Sequence, residues 1–479
     1  MAKYRTPGVY VEEVSVLPSS VAAVATAIPG FVGYTGEDEK DGVTLVNKPV
    51  RITSMLEFEE LFGGPFKQSY EVELSGTAGD PVIDINPVNP VNPANSAFAP
   101  YILYYQMKMF YANGGGTCYV VSVGKYGSGD INAISETSLS AGLDELEKID
   151  EITLVNIPEI IKLTNAGVID DAKIKALNDE VLAHCAKMEN RFALLDVLHT
   201  SGETVFNDAA NFRDKNVSQD SLKYGASYYP GLITTQHYAF DDSGVEIVSD
   251  SRGASSNFEG DSLEAVKNAD TTLYNQIVAV LNRFFVELYP SSSMAGIYAR
   301  VDNQRGVWKA PANVGIRNVR ELSVLLTDQE QALLNIDTVS GKSINAIRQF
   351  EGRGMLVWGA RTLDGNSNEW RFINVRRLFL FVEQSVKNAS QFVVFEPNSA
   401  VTWKRVESMI NSFLTLLWRN GGLVGATTEE AFFVSVGVGK TMTIQDVLEG
   451  RMIVEIGLAA SRPSEFIILK FSHFIQQES

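Results

Sequence analysis

The hydrophobic positions of this chain follow two rhythms. Residues 7–16, PGVYVEEVSV, put Val9, Val11 and Glu13 on one side and Tyr10, Glu12 and Val14 on the other, the alternation of a strand after a Pro-Gly breaker. A Pro-Ser hinge separates it from a short buried strand through Phe31, Val32 and Tyr34 that ends at Gly36. In PVRITSMLEFEELF (49–62) the rhythm turns helical. A short strand leads into a helix capped by Ser54, with Glu57 at its third position and Leu56, Phe58 and Leu61 to bury. Residues 76–100, with the tract NPVNPVNPAN, read as a loop, because prolines lack amide donors and hold the chain extended.

From 101 onward strands and helices alternate. A helix over 101–112 ends at Asn113 and three glycines; then come a strand at 118–123, a helix at 138–148, a strand at 152–158, a helix at 171–189 and a strand at 192–198. Strand-like segments near 223–233 and a helix over 270–289 extend the series, which predicts a layered α/β fold with parallel strand pairs. The Asp-, Ser- and Gly-rich segment 240–262 is expected as an exposed excursion.

Farther on, a strand is expected over 355–363, a helix over 375–389 and a strand over 392–397. The segment 400–419 has helical period, with Trp403, Val406, Met409, Ile410, Phe413, Leu414, Leu416 and Leu417 to bury and Lys404, Ser408, Asn411, Ser412, Thr415 and Arg419 opposite. Gly421-Gly422 end it, and strands follow at 432–438 and 452–458. In the closing stretch EFIILKFSHFIQQ, Phe466, Ile468, Lys470 and Ser472 alternate with Ile467, Leu469 and Phe471.

Composition narrows the function classes. At 479 residues two or three domains are expected, and 45% apolar with 20% charged residues is globular. Forty Lys and Arg against 58 Asp and Glu give a net charge of −18, which weighs against free-standing nucleic-acid binding, since phosphates need a basic surface. Cys118 and Cys185, the two cysteines, make neither a disulfide framework nor a metal pair. The stretch MAKYRTPGVYVEEV has no signal-peptide pattern, and no apolar run reaches membrane-spanning length, so assembly in the cytoplasm without membrane insertion is expected.

Tests for chemistry come out negative. His184, His199, His237 and His473 lack metal-ligand spacing. GVGKT at 437–441 ends like a phosphate-binding loop, but the glycine required five residues before the last one is Val434. Asp196 and His199 hint at the acid and base of a hydrolase, yet no GxSxG elbow accompanies them. Glu12-Glu13 and Glu429-Glu430 are adjacent along the chain rather than facing each other across a cleft. Trp403, Phe413 and Trp418 read as packing, and no cofactor or metal is implied.

What remains is a chain with a strand pattern near each end. An apolar terminal strand left open to solvent invites pairing; it is completed within its own molecule or by donation to a neighbour's sheet. PGVYVEE followed by PSSVAAVATAIPGFVGYTG resembles the opening of phage tail sheath proteins and of the sheaths of related contractile injection systems. GVWKAPAN (306–313), NAIRQFEGRGMLVWGARTL (345–363), EWRFINVRRLFLFVEQSVKNASQFVVFEPN (369–398), the LW-x-x-GGLVG segment (417–425) and SRPSEFIILKF (461–471) resemble that family's C-terminal signature, in order.

The resemblance implies an α/β fold, α+β in a discontinuous inner domain made from N- and C-terminal parts, and a subtilisin-like middle domain without catalytic residues. Residues 1–20 become an N-terminal arm, 21–36 the first part of the inner domain and 37–100 an outer subdomain or insertion. Residues 101–344 become the middle domain, 345–464 the rest of the inner domain and 465–479 a C-terminal arm. It also implies a mechanism: stacked six-fold rings around an inner tube, meshed by donated arms, contracting from a metastable extended lattice. Baseplate and terminal cap proteins complete the list of partners, and the particle is a phage tail or a tail-like device that can be released from the cell. A few kcal/mol per subunit suffices, since about 5.5 kcal/mol moves a two-state balance from 1:99 to 99:1. The arm residues expected from the pattern are Val9, Tyr10, Val11 and Val14, with Phe466, Ile467, Ile468, Leu469 and Phe471 at the other end. The tube-facing set is Lys404, Ser408, Asn411, Thr415 and Arg419. A tube or baseplate component is the alternative, and a hydrolase the remote one.

Overall fold

The computed structural model describes residues 21–88, 98–127, 134–165, 168–253 and 257–468. The chain forms two compact units, one built from 25–381 with 462–479 and the other from 1–24 with 382–461.

The larger unit is organised by a nine-stranded sheet. Its six middle strands run parallel in the spatial order Cys118–Lys125, Pro29–Thr35, Leu154–Asn156, Phe192–Asp196, Gly225–Tyr229 and Asn345–Phe350. All seven residues of Pro29–Thr35 are buried, because helices cover both faces of a parallel sheet and leave no polar side. The margins are antiparallel and short: Val50–Ile52 on one side, and Gly354–Val357 followed by the two-residue Val314–Gly315 on the other. Chain order reverses beside Pro29–Thr35, because the next two parallel strands along the sequence, Cys118–Lys125 and Leu154–Asn156, lie on its opposite sides, making a topological switch point. Helices Leu103–Ala112 and Ser291–Arg305 pack closely because Gly296 lacks a Cβ, which would lie 2.4 Å from the Phe110 carbonyl oxygen.

A second core in this unit joins Tyr70, Val72, Leu74, Val245, Ile247 and Phe258 with helices Leu263–Ala269 and Thr271–Leu281. It corrects two expectations. Residues 76–88 are no loop: Ser69–Thr77 and Asp80–Val88 form a hairpin, in which Pro81 and Pro87 are tolerated because Asp80–Val88 is an edge strand. Nor is 240–262 a bare excursion, since Val245–Asp250 pairs in parallel with Ser69–Thr77 and buries Val245 and Ile247. The helix expected over 270–289 stops at Leu281 and is followed by the strand Phe285–Leu288. The strand expected over 355–363 is the four-residue Gly354–Val357.

In the smaller unit helix Ala400–Arg419 packs on the antiparallel pair Phe432–Val436 and Val454–Leu458. Val406, Met409, Ile410, Phe413, Leu414 and Leu417 are buried as expected, whereas Leu416 is exposed and Trp403 half-buried. Residues 392–397 form no strand: helix Ile373–Ala389 runs into a 3-10 turn at Ser390–Val393, and Phe395 takes a left-handed φ of 68° with its ring in solvent. The division between units also departs from the expected boundaries. Pro29–Thr35 and Asn345–Phe350 are strands of the nine-stranded sheet, so parts of the segments 21–36 and 345–464 lie in the larger unit.

Candidate functional site

The carboxyl edge of a parallel sheet beside its switch point is where doubly wound proteins take ligands, with helix N-termini facing the anion. Here both such helix ends are filled from within. After Leu154–Asn156, Pro158 starts a 3-10 turn that carries Glu159 into the interior. Its Oε2 accepts from the Tyr34 amide at 2.9 Å, and its Oε1 from the amides of Ile102 and Leu103 at 3.1 and 3.3 Å, at the start of helix Leu103–Ala112. Gly33 makes room, since a Cβ there would stand 2.9 Å from Oε2. Asp196 does the same at the end of Phe192–Asp196, accepting from the amide of Ser291 at 2.8 Å and from its hydroxyl. Ser292 donates to Asn156 Oδ1 at 2.7 Å. Burial pushes both carboxyls up to about 7, against the pull of their donors.

The pair Asp196 and His199 is not brought together. His199 Nδ1 bonds Asp208 Oδ2 at 2.6 Å, and the same oxygen accepts from the Tyr229 hydroxyl at 2.9 Å. Burial and the neighbouring Arg191 hold His184 down at about 4, while the His237 ring lies tilted against Phe285 with centroids 4.6 Å apart. Gly437–Met442 is a tight turn, with the amides of Lys440, Thr441 and Met442 directed at the Gly437 carbonyl, leaving nothing to cradle a phosphate. Among the described residues no helix is long and apolar enough to cross a membrane.

The surfaces that stand open are apolar. In the smaller unit Val394, Phe395, Val401, Leu416, Val424, Phe433, Val438, Ile444, Leu448 and Ile453 are exposed. Of the expected tube-facing set, Lys404, Ser408 and Arg419 are exposed; Asn411 and Thr415 are half-buried, with the Thr415 hydroxyl turned to the Asn411 carbonyl at 2.7 Å. Lys404 pairs with Glu407 at 2.8 Å. Phe466, Ile467 and Ile468 are exposed, and Val9, Tyr10, Val11, Val14, Leu469 and Phe471 lie outside the described residues. Sequence reasoning missed Glu159, although a lone acid inside the apolar run IPEII is a signal for a buried, internally paired carboxylate. It also missed the pairing of Glu465 with Arg361, for which the sequence holds no local sign.

A polymer-forming scaffold, with its would-be ligand edge closed and its apolar surface open, is the class this arrangement defines. The phage tail sheath protein central domain family matches residues 158–363, and the phage tail sheath C-terminal domain family matches residues 366–473. The PVC sheath complex of an extracellular contractile injection system, in its contracted state, is 30% identical with TM-score 0.63, all of both chains being covered. The contracted helical sheath of the anti-feeding prophage is also 30% identical, with TM-score 0.62 over 98% of this chain and 99% of that one. The tail sheath protein of Salmonella phage ViI is 24% identical over 293 residues, 60% of this chain and 40% of the relative. Against curated tail sheath proteins the chain spans 40% or less of the relative's length. The chain belongs to the phage tail sheath family, and its α/β fold is that of contractile injection system sheaths.

Proposed function

We propose that the protein is the non-enzymatic sheath subunit of a tail-like injection particle, polymerising as stacked six-fold rings around an inner tube and contracting to drive that tube forward. The observation that carries this reading is the smaller unit. Its sheet has two strands among the described residues, so each strand keeps an outer edge to receive a third. Ten large apolar side chains of the same unit are exposed. Terminal arms from neighbouring copies, Val9 to Val14 at one end and Phe466 to Phe471 at the other, complete that sheet and keep the wall linked while it shortens.

Energy is stored in an extended lattice that is kinetically trapped, and a baseplate signal releases it toward better subunit contacts. The internal occupation of the switch point by Glu159 and Asp196 fits a body that needs no nucleotide or substrate. Assembly takes place in the cytoplasm, with the finished particle free to leave the cell. Tube contact falls to the polar side of helix Ala400–Arg419 through Lys404, Ser408 and Arg419. Electron microscopy of the purified chain is expected to give ribbed hollow cylinders. Deleting residues 1–16 is expected to leave a folded subunit that forms none, and normal cylinders from that truncation would refute the arm assignment.

A further inference from the structure

The chain passes between its two units at 24/25, 381/382 and 461/462. On the larger unit's side each passage is met by a buried arginine. Near the second, the side chain of Arg377 and that of its partner Asp302 are each 3% exposed. Nη1 and Nη2 of Arg377 donate to the two Asp302 oxygens at 3.0 and 2.6 Å, and Nη2 also donates at 2.7 Å to the carbonyl of Thr26, just past the first passage. The Tyr298 ring lies 4.6 Å from the guanidinium.

Past the third passage the same device recurs. Arg361, its side chain 4% exposed, grips Glu465 with Nε and Nη2 at 2.9 and 2.6 Å, while Nη1 reaches the carbonyls of Asn335 and Gly365 at 3.4 Å. The described residues 462–468 form neither strand nor helix, so Glu465 is held by its side chain rather than by a backbone ladder. Beyond it Phe466, Ile467 and Ile468 turn out to solvent. A planar two-pronged bond fixes direction as well as distance, which a lysine's point charge does not. Leaving a buried guanidinium unpaired is the costly outcome, so the contact resists a pull on the segment that carries Glu465.

We infer that the Arg361–Glu465 fork is the anchor of the C-terminal arm: it fixes where the arm leaves its own subunit and delivers any pull on a donated arm to the nine-stranded body of the larger unit. Arg377 anchors the other two passages in the same way. The inference rests on the proposed exchange of arms between copies, and it makes Arg361 and Glu465 positioning residues.

The test uses the full-length chain, its Glu465→Gln and Arg361→Lys variants, and a chain ending at residue 465. Melting of the dispersed subunit, chymotryptic cleavage after Phe466 and cylinder length by electron microscopy are measured on each. The expected result for Glu465→Gln is a lowered melting point, cleavage about tenfold faster, and short or fragmented cylinders. Should that variant fail to fold, Arg361→Lys keeps the charge, loses the fork, and decides by the same two measurements. Parental cleavage and parental cylinder length in the variants, with no cylinders from the chain ending at 465, overturn the anchor and leave arm exchange standing. Normal cylinders from the chain ending at 465 overturn donation of the C-terminal arm, and the anchor with it.

Discussion

The two units treat their unsatisfied groups in opposite ways. In the larger one, positions that other α/β proteins leave open are closed from within: Glu159 and Asp196 occupy two helix ends, and Arg191 spends its guanidinium on the carbonyls of Leu146 and Ile149. In the smaller one, ten large apolar side chains are exposed within residues 382–461; the described part of 25–381 exposes as many over more than four times the length. Residues 25–381 settle those buried polar groups internally, whereas 382–461 leave apolar surface open; under the proposed exchange of arms, the first is the body and the second the part completed by neighbours.

Substitutions can break that contrast. The largest effect is expected from Ile444→Asp combined with Leu448→Asp, on the open face of a short helix of the smaller unit: cylinders disappear from micrographs while the subunit's urea midpoint stays close to the parent's. Glu159→Ala strikes the closed unit instead. It orphans three buried amides at a cost of roughly 3 kcal/mol or more, read by urea denaturation of the dispersed subunit.

A pH series sharpens the same point. The carboxyls of Glu159 and Asp196 stand at about 7 in the folded chain, above their ordinary range, so the stability they contribute is full at acid pH and is lost as the pH rises through 7. His184, held at about 4, works the other way, because the unfolded chain takes its proton more readily as the pH falls below 6.5. Two groups against one leave a net fall in stability from pH 5 to pH 8 on the order of 3 kcal/mol, which Glu159→Gln is expected to flatten. Smaller still, His199→Ala removes one of three bonds to Asp208 and costs about 1 kcal/mol by thermal melting. Leu56→Lys, on the exposed side of helix Met55–Phe62, is expected to stay within about 0.5 kcal/mol.

Local chemistry was the legible part of this fold. Ser54 caps its helix by accepting from the Glu57 amide, six residues of helix Ala400–Arg419 face inward as their spacing requires, and the alternation after residue 101 yields parallel strands. Leu56 was misjudged because a two-turn helix buries too narrow a stripe, here Phe58 and Phe62, for every apolar position to share. The second core was illegible for a different reason. Ser69–Thr77 finds its parallel partner at Val245–Asp250, far along the chain, and the proline-rich strand between them survives only because that pairing leaves it at an edge. The site divides in the same manner. Val434 argues against a phosphate loop from sequence alone, whereas the partners of Glu159 and Arg361 lie in segments that only the tertiary fold brings near.

The stubby margins of the nine-stranded sheet, three residues at Val50–Ile52 and two at Val314–Gly315, bear on how such a protein stays selective about what it joins. In a sheath wall such a subunit stands beside copies of itself, where a long bare margin would recruit backbone indiscriminately. Margins too brief to template a ladder make both sides of the nine-stranded sheet poor sites for stray pairing, so that under the proposed exchange of arms a donated strand is not captured there.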